Sequence, residues 1–175
     1  LAPGESEQIT LSLNGFTMTG LANATTGCSG ANVTGEFGIS TNNQSDVGVR
    51  GPGVVQRFRA VGIIFAGTVR GQIEGVTATT NCLSGILVNA TSSHISVDAN
   101  VSVRNGAVAV TAAAVTGEAG RGGITIFGSD NRIRWNETGG NGYADPADDH
   151  GIGIRSGNNN VIEANTAIGN TNGII

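Results

Sequence analysis

The densest group of ionisable side chains is the stretch YADPADDHG, from Tyr143 to Gly151. Asp145, Asp148, Asp149 and His150 fall close together, and Arg155 follows shortly after. Clustered carboxylates offer the hard oxygen ligands that Ca²⁺ takes. Asp145, Asp148 and Asp149 are therefore the metal candidates, with calcium the cofactor such a cluster would hold. A carboxylate–His pair beside a cation also has the parts needed to remove the proton next to a sugar carboxylate. In that chemistry Asp148, His150 and Arg155 are the catalytic candidates. Tyr143, Asp145, Asp149, Arg155 and Arg134 are the residues expected to touch the substrate, an acidic polysaccharide. The plain alternative is a solvated acidic loop, with Pro146 shaping a turn and Asp149 or His150 bonded to backbone. Both readings stay open on the sequence.

What would carry such a loop is visible in an internal repeat. Helical periodicity is nearly absent; apolar residues alternate, broken every few positions by Gly or Asn. Gly-Ile followed by alternating residues recurs at Gly38, Gly62, Gly85, Gly123, Gly151 and Gly173, at intervals of 24, 23, 38, 28 and 22. The long intervals contain GAVAVTAAAVTGEAG (Gly106 to Gly120) and YADPADDH (Tyr143 to His150). DNRIRWNETGGN aligns without gaps on NNVIEANTAIGN, placing Asn131 on Asn160, Ile133 on Ile162, Asn136 on Asn165 and Asn141 on Asn170. SSHISVDANVSV reads as a third copy, with Ile95 at the Ile133 position.

A unit of this length with short strands and no helix cannot bury its apolar side alone, whereas stacked units can. The expectation is an all-β, single-stranded right-handed parallel β-helix of about six coils, each 22–24 residues long. It forms one domain over 1–175, with an N-terminal coil and irregular loop over 9–37. Regular coils fill 38–175, with insertions at 106–120 and 143–150. Ile39, Ile63, Ile86, Ile124, Ile152 and Ile174 make one inward column, and Thr41, Phe65, Val88, Ile126 and Ile154 a second. Asn at the turns is expected to bond the same residue one coil away, and Gly to supply positive φ at the bends.

ITLSLNGFTMTG (Ile9 to Gly20) resembles the first coil of the pectate-lyase-like parallel β-helix family, and NNVIEANTAIGN resembles its Asn-rich repeat in secreted and periplasmic proteins. The resemblance covers nearly the whole chain from Ile9. It implies the fold, and an extracellular, cell-surface or periplasmic location. The insertion also resembles the Asp-Pro-His-Asp signature of alginate C5-epimerases at Asp145, Pro146 and Asp148, with Ala147 at the His position and Tyr143 one residue nearer than the family's Tyr.

Several other positions carry expectations. Counting outward from inward Ile133 turns Arg132 and Arg134 to solvent and Trp135 into the core; the alternative for Trp135 is a sugar-stacking platform. Outward Ile64 and Leu87 are expected to lie under the apolar segment 107–115. Cys28 and Cys82 are the only cysteines. They lie about 10 Å apart by coil spacing, beyond bridging reach, unless the Gly-rich stretch from Ala22 to Glu36 carries Cys28 across. Six Asn-x-Ser/Thr sequons begin at Asn23, Asn32, Asn43, Asn89, Asn100 and Asn136. At the C-terminus a coil opened at Asn172 stops after Gly173, Ile174 and Ile175, leaving an uncapped end. That end is expected either to continue in a longer chain or to be an assembly surface for another copy.

The net charge of −4 argues against a partner held by phosphate neutralisation, and no apolar run of membrane-spanning length occurs. Three functions follow: a secreted carbohydrate-facing domain, an extracellular structural protein stacking end to end into filaments, and a polysaccharide lyase or uronate epimerase.

Overall fold

The computed structural model describes residues 8–21, 28, 36–106, 121–142 and 149–175. Among these there is no helix, and the strands form three parallel sheets of six. Strands are numbered in chain order. Sheet A contains β1 (Ile9–Ser12), β4 (Val47–Arg50), β7 (Gln72–Glu74), β10 (Ser96–Asp98), β13 (Arg132–Arg134) and β16 (Val161–Glu163). Sheet B contains β2 (Thr17–Thr19), β5 (Val54–Gln56), β8 (Thr77–Thr79), β11 (Val101–Val103), β14 (Glu137–Gly139) and β17 (Thr166–Ile168). Sheet C contains β3 (Ile39–Asn42), β6 (Ile63–Ala66), β9 (Ser84–Val88), β12 (Arg121–Ile126), β15 (Asp149–Ile154) and β18 (Asn172–Ile174). Each coil contributes one strand to each wall, so the chain is a parallel β-helix of six coils.

The core is built from columns. In sheet C the pairing runs Ile39, Ile63, Ile86, Ile124, Ile152, Ile174, and beside it Thr41, Phe65, Val88, Ile126, Ile154. Sheet A adds Leu11, Val49, Ile73, Val97, Ile133 and Ile162. Ile63, Ile73, Ile86, Ile124, Ile126, Ile133 and Ile152 are fully buried. Each such side chain contributes about 1.5–3 kcal/mol on leaving water. The sheet A register corrects one alignment: Val97, not Ile95, occupies the Ile133 position, and the Ile95 amide meets Asn131.

Three asparagine ladders line the inside of the corners. Asn81 Nδ2 donates to Asn105 Oδ1 at 3.0 Å, Asn105 Nδ2 to Asn141 Oδ1 at 3.3 Å, and Asn141 Nδ2 to Asn170 Oδ1 at 2.9 Å. Asn100, Asn136 and Asn165 form a second ladder, and Asn131 and Asn160 a third. Every rung also satisfies backbone. The same Oδ1 accepts the amide N–H of the preceding Asn, and Nδ2 reaches a carbonyl, as Asn105 does to Ala78 O at 3.0 Å. Buried corners would otherwise strand those backbone groups.

The recurring Gly of the Gly-Ile pairs serves close approach rather than chain reversal. Neither Gly85 nor Gly123 has positive φ. A Cβ on Gly85 would overlap Ser102 Oγ and lie 2.6 Å from Asn105 Nδ2; one on Gly123 would lie 2.8 Å from Asn141 Nδ2. The bends that do use positive φ are largely occupied by other residues. Asp46, Arg70, His94, Asp130 and Asn159 form one such column, and Ala99, Trp135 and Ala164 another.

Asn105→Ala should therefore cost about 3 kcal/mol or more, since it orphans several buried donors and acceptors at about 1–3 kcal/mol each. Asn160→Ala, on the half-exposed last coil, should cost about 1 kcal/mol. Urea unfolding of the two variants measures the contrast. Gly85→Ala should lose about 2 kcal/mol or more by overpacking. Gly173→Ala, whose Cβ would meet nothing within 4 Å, should stay within about 0.5 kcal/mol of the parent in the same assay.

Candidate functional site

The exposed wall with the most organised chemistry is the outer face of sheet A. Flanking the inward column, its strands read Gln-Ile-Glu, Ser-Val-Asp, Arg-Ile-Arg and Val-Ile-Glu. Side chains alternate across a strand, so the flanking residues point out. Paired register stacks them into two rows. One runs Arg50, Glu74, Asp98, Arg134, Glu163, and the other Gly48, Gln72, Ser96, Arg132, Val161. Neighbours within a row sit about 4.8 Å apart.

Hydrogen bonds join these rows in three groups. Arg134 Nε donates to Asp98 Oδ1 at 2.8 Å and Nη2 to Asp98 Oδ2 at 3.2 Å. Ser96 Oγ donates to the same Oδ2 at 2.6 Å. Arg132 forms a fork on Glu163 Oε1. Arg50 Nη2 donates to Gln72 Oε1 at 3.3 Å, and Gln72 Nε2 to Glu74 Oε2 at 3.1 Å. At one edge, Arg70 bridges to Asp46 at 2.7 Å. The side-chain hydrogen bonds to Asp98 and Asp46 hold the Arg134 and Arg70 guanidinium pKa values above their ordinary range. The result is a wall of paired donors and acceptors in coil register.

Trp135 borders this face and is 59% exposed, which corrects its expected place in the core. The cause is local. Trp135 has φ +55°, and a single left-handed residue breaks the two-residue alternation. The inward position passes to Asn136, which joins a ladder, and the indole turns out. The Arg134 guanidinium lies 4.3 Å from the indole centroid, within cation–π range.

The residues of the expected acidic site divide between walls. Tyr143, Asp145 and Asp148 lie outside the described residues. Asp149 opens β15 opposite Arg121. The His150 ring is fully buried on sheet C, with Nε2 3.0 Å from Thr125 Oγ1, and Thr125 Oγ1 lies 2.7 Å from Ser84 Oγ. A Cβ on Gly153 would strike that ring, so the glycine leaves it room. Arg155 follows the same strand and is exposed, whereas Arg134 stands on sheet A and is engaged by Asp98. Among the described residues, no group of three His, Cys, Asp or Glu side chains is arranged to hold a metal ion. Gly173 and Ile174 pair with β15 through β18, and Ile174 and Ile175 are half exposed. Of the sequons, Asn100 and Asn136 are buried ladder rungs, Asn43 is exposed, and Asn23 and Asn32 lie outside the described residues.

On sheet C's outer side the apolar residues are covered. Leu87 is only 3% exposed and packs with Ala60, Val61, Cys82 and Leu83, with Cys28, Ile64 and Phe127 against them. The expected cover, 107–115, lies outside the described residues. Cys28 and Cys82 form a disulfide with Cα atoms 5.3 Å apart. Coil spacing alone had placed them too far apart. Cys28 lies in sequence between β2 and β3 and packs onto this cluster.

The class defined by this architecture is the parallel β-helix. Beyond the class, the chain matches no protein-family model, and no curated protein or solved structure is significantly similar to it.

Replacing the pair, Cys28→Ser with Cys82→Ala, should lower stability by about 2–4 kcal/mol, since the bridge closes a loop spanning 54 positions. Guanidinium unfolding of oxidised parent and variant measures the loss.

Proposed function

We propose that this chain is a secreted or cell-surface β-helix domain of the pectate-lyase-like kind whose sheet A face lies against carbohydrate. The observation carrying this reading is the two rows from Arg50 to Glu163, exposed at Arg50, Glu74, Arg132 and Glu163 and joined in three hydrogen-bonded groups, one of them around the buried Asp98. Sugar hydroxyls both donate and accept, and a wall offering carboxylates, amides and guanidinium groups in fixed register matches them at several rings at once. Holding these side chains in place beforehand lowers the entropy lost on binding. The disulfide supports an oxidising compartment, where such bonds persist. The low net charge of the lattice supports contact with a polyhydroxyl surface rather than a polyanion.

The test is binding to a panel of immobilised neutral and acidic polysaccharides. At least one should retain the parent chain. The double variant Arg132→Ala with Glu163→Ala should bind it at least about tenfold more weakly, with little change in melting temperature, because exposed pairs contribute only about 0–1 kcal/mol to stability. Retention by no polysaccharide, or equal retention of parent and variant, defeats the reading.

A further inference from the structure

Trp135 is the one tryptophan in the chain, and its position is costly for such a residue. Bulky side chains rarely adopt positive φ, and a residue held there points to a local reason. Three other coils show what this turn takes when no such reason exists. The matching positions hold Gly75, Ala99 and Ala164, all with positive φ. Only this coil places a large ring there, and it does so with 59% of the residue in solvent. Core packing does not require it, since Asn136 and Ile133 supply the inward side chains of this corner.

The cation against the ring is itself bonded in place. Ser96 Oγ donates to Asp98, Asp98 accepts both Nε and Nη2 of Arg134, and the Arg134 guanidinium lies over the indole. One face of the indole is thus occupied by a cation that is itself pinned. The residue is 59% exposed, and the matching positions in the coils before and after it hold the small Ala99 and Ala164. An exposed aromatic ring beside hydrogen-bonding groups is what the apolar C–H face of a pyranose ring can stack on, while its hydroxyls reach those groups.

Charge selects among sugars. Arg132 is paired with Glu163 and Arg134 with Asp98, and exposed Glu137 starts the next strand. These five groups sum to one negative charge, which disfavours a uronate at this corner.

Resting on the carbohydrate reading above, we infer that Trp135 is a stacking subsite for one ring of a neutral pyranose glycan, with the Ser96–Asp98–Arg134 chain as its positioning device. Trp135→Ala restores the residue type of the neighbouring coils, so the variant folds with the parent's circular dichroism and melting temperature. The single tryptophan reports its own site. Fluorescence titrations with cellohexaose, xylohexaose, mannohexaose and hexagalacturonate are run beside the polysaccharide panel. The expected result is a saturable fluorescence change with a neutral hexasaccharide. Calorimetry should then show about tenfold weaker binding for Trp135→Ala and partial retention for Trp135→Phe. Asp98→Asn should weaken binding and shift the emission of the free protein, a change that loss of a mere contact would not produce. Polysaccharide binding with unchanged fluorescence and full binding by Trp135→Ala overturns the subsite and leaves the carbohydrate reading standing. A response to hexagalacturonate alone overturns the neutral-glycan assignment. Binding to nothing in either assay removes both.

Discussion

Everything in this molecule depends on repeating one register from coil to coil. A parallel stack presents backbone donors and acceptors at every level, and its corners, where strands end, are where those groups would go unpaired. The asparagine ladders solve that problem from inside. Each rung accepts the N–H of the rung before it, bonds the adjacent amide and returns to a backbone carbonyl. One residue type at one position therefore closes the turn, joins two coils and satisfies buried polar groups. The glycines Gly62, Gly85, Gly123 and Gly151 follow from the ladder, because the Asn amide and the next coil's backbone occupy the space a Cβ would need.

With the corners held, the three walls are free to differ, and they do. The inner columns are aliphatic along sheets A and C, whereas sheet B turns smaller side chains inward, with Ala78, Ser102 and Thr138 next to a ladder. Outside, sheet C is covered: the disulfide and its apolar cluster sit on it, and buried His150 and Thr125 belong to the same side. Sheet A is open and carries the charged lattice. The division of labour is physical. A wall bearing outward Leu87 and Ile64 requires cover, while one bearing outward Arg and Glu gains by facing water. The open face of sheet A is the one for which we propose contact with carbohydrate.

How much was legible can be followed residue by residue. Gly38 to Gly173, the isoleucine column and the mixed column beside it are readable because they recur once per coil, and the pairing of the strands reproduces them. The Asn131–Asn160 and Asn136–Asn165 pairs were readable for the same reason. The copy around Val97 was misaligned by two residues, and with it went the lattice partners Ser96 and Asp98. The signal was present as polar-apolar-polar triplets, yet an apolar Ile95 two positions away offered an equally good match. Trp135 was misread because alternation assumes extended backbone throughout, and one left-handed residue reverses the count. Attention to the acidic insertion rested on composition, which says which groups are near in sequence but not which wall they face.

The sequence by itself determined the repeat, the strand character, the inward columns and the asparagine rungs, since each is a local pattern multiplied by stacking. Only the tertiary structure decided which wall is covered, that Cys28 reaches Cys82, that His150 is buried, and that Arg134 is claimed by Asp98 and lies over an exposed Trp135. Those outcomes depend on a single dihedral reversal or on where an excursion lands, and neither leaves a period for the sequence to display.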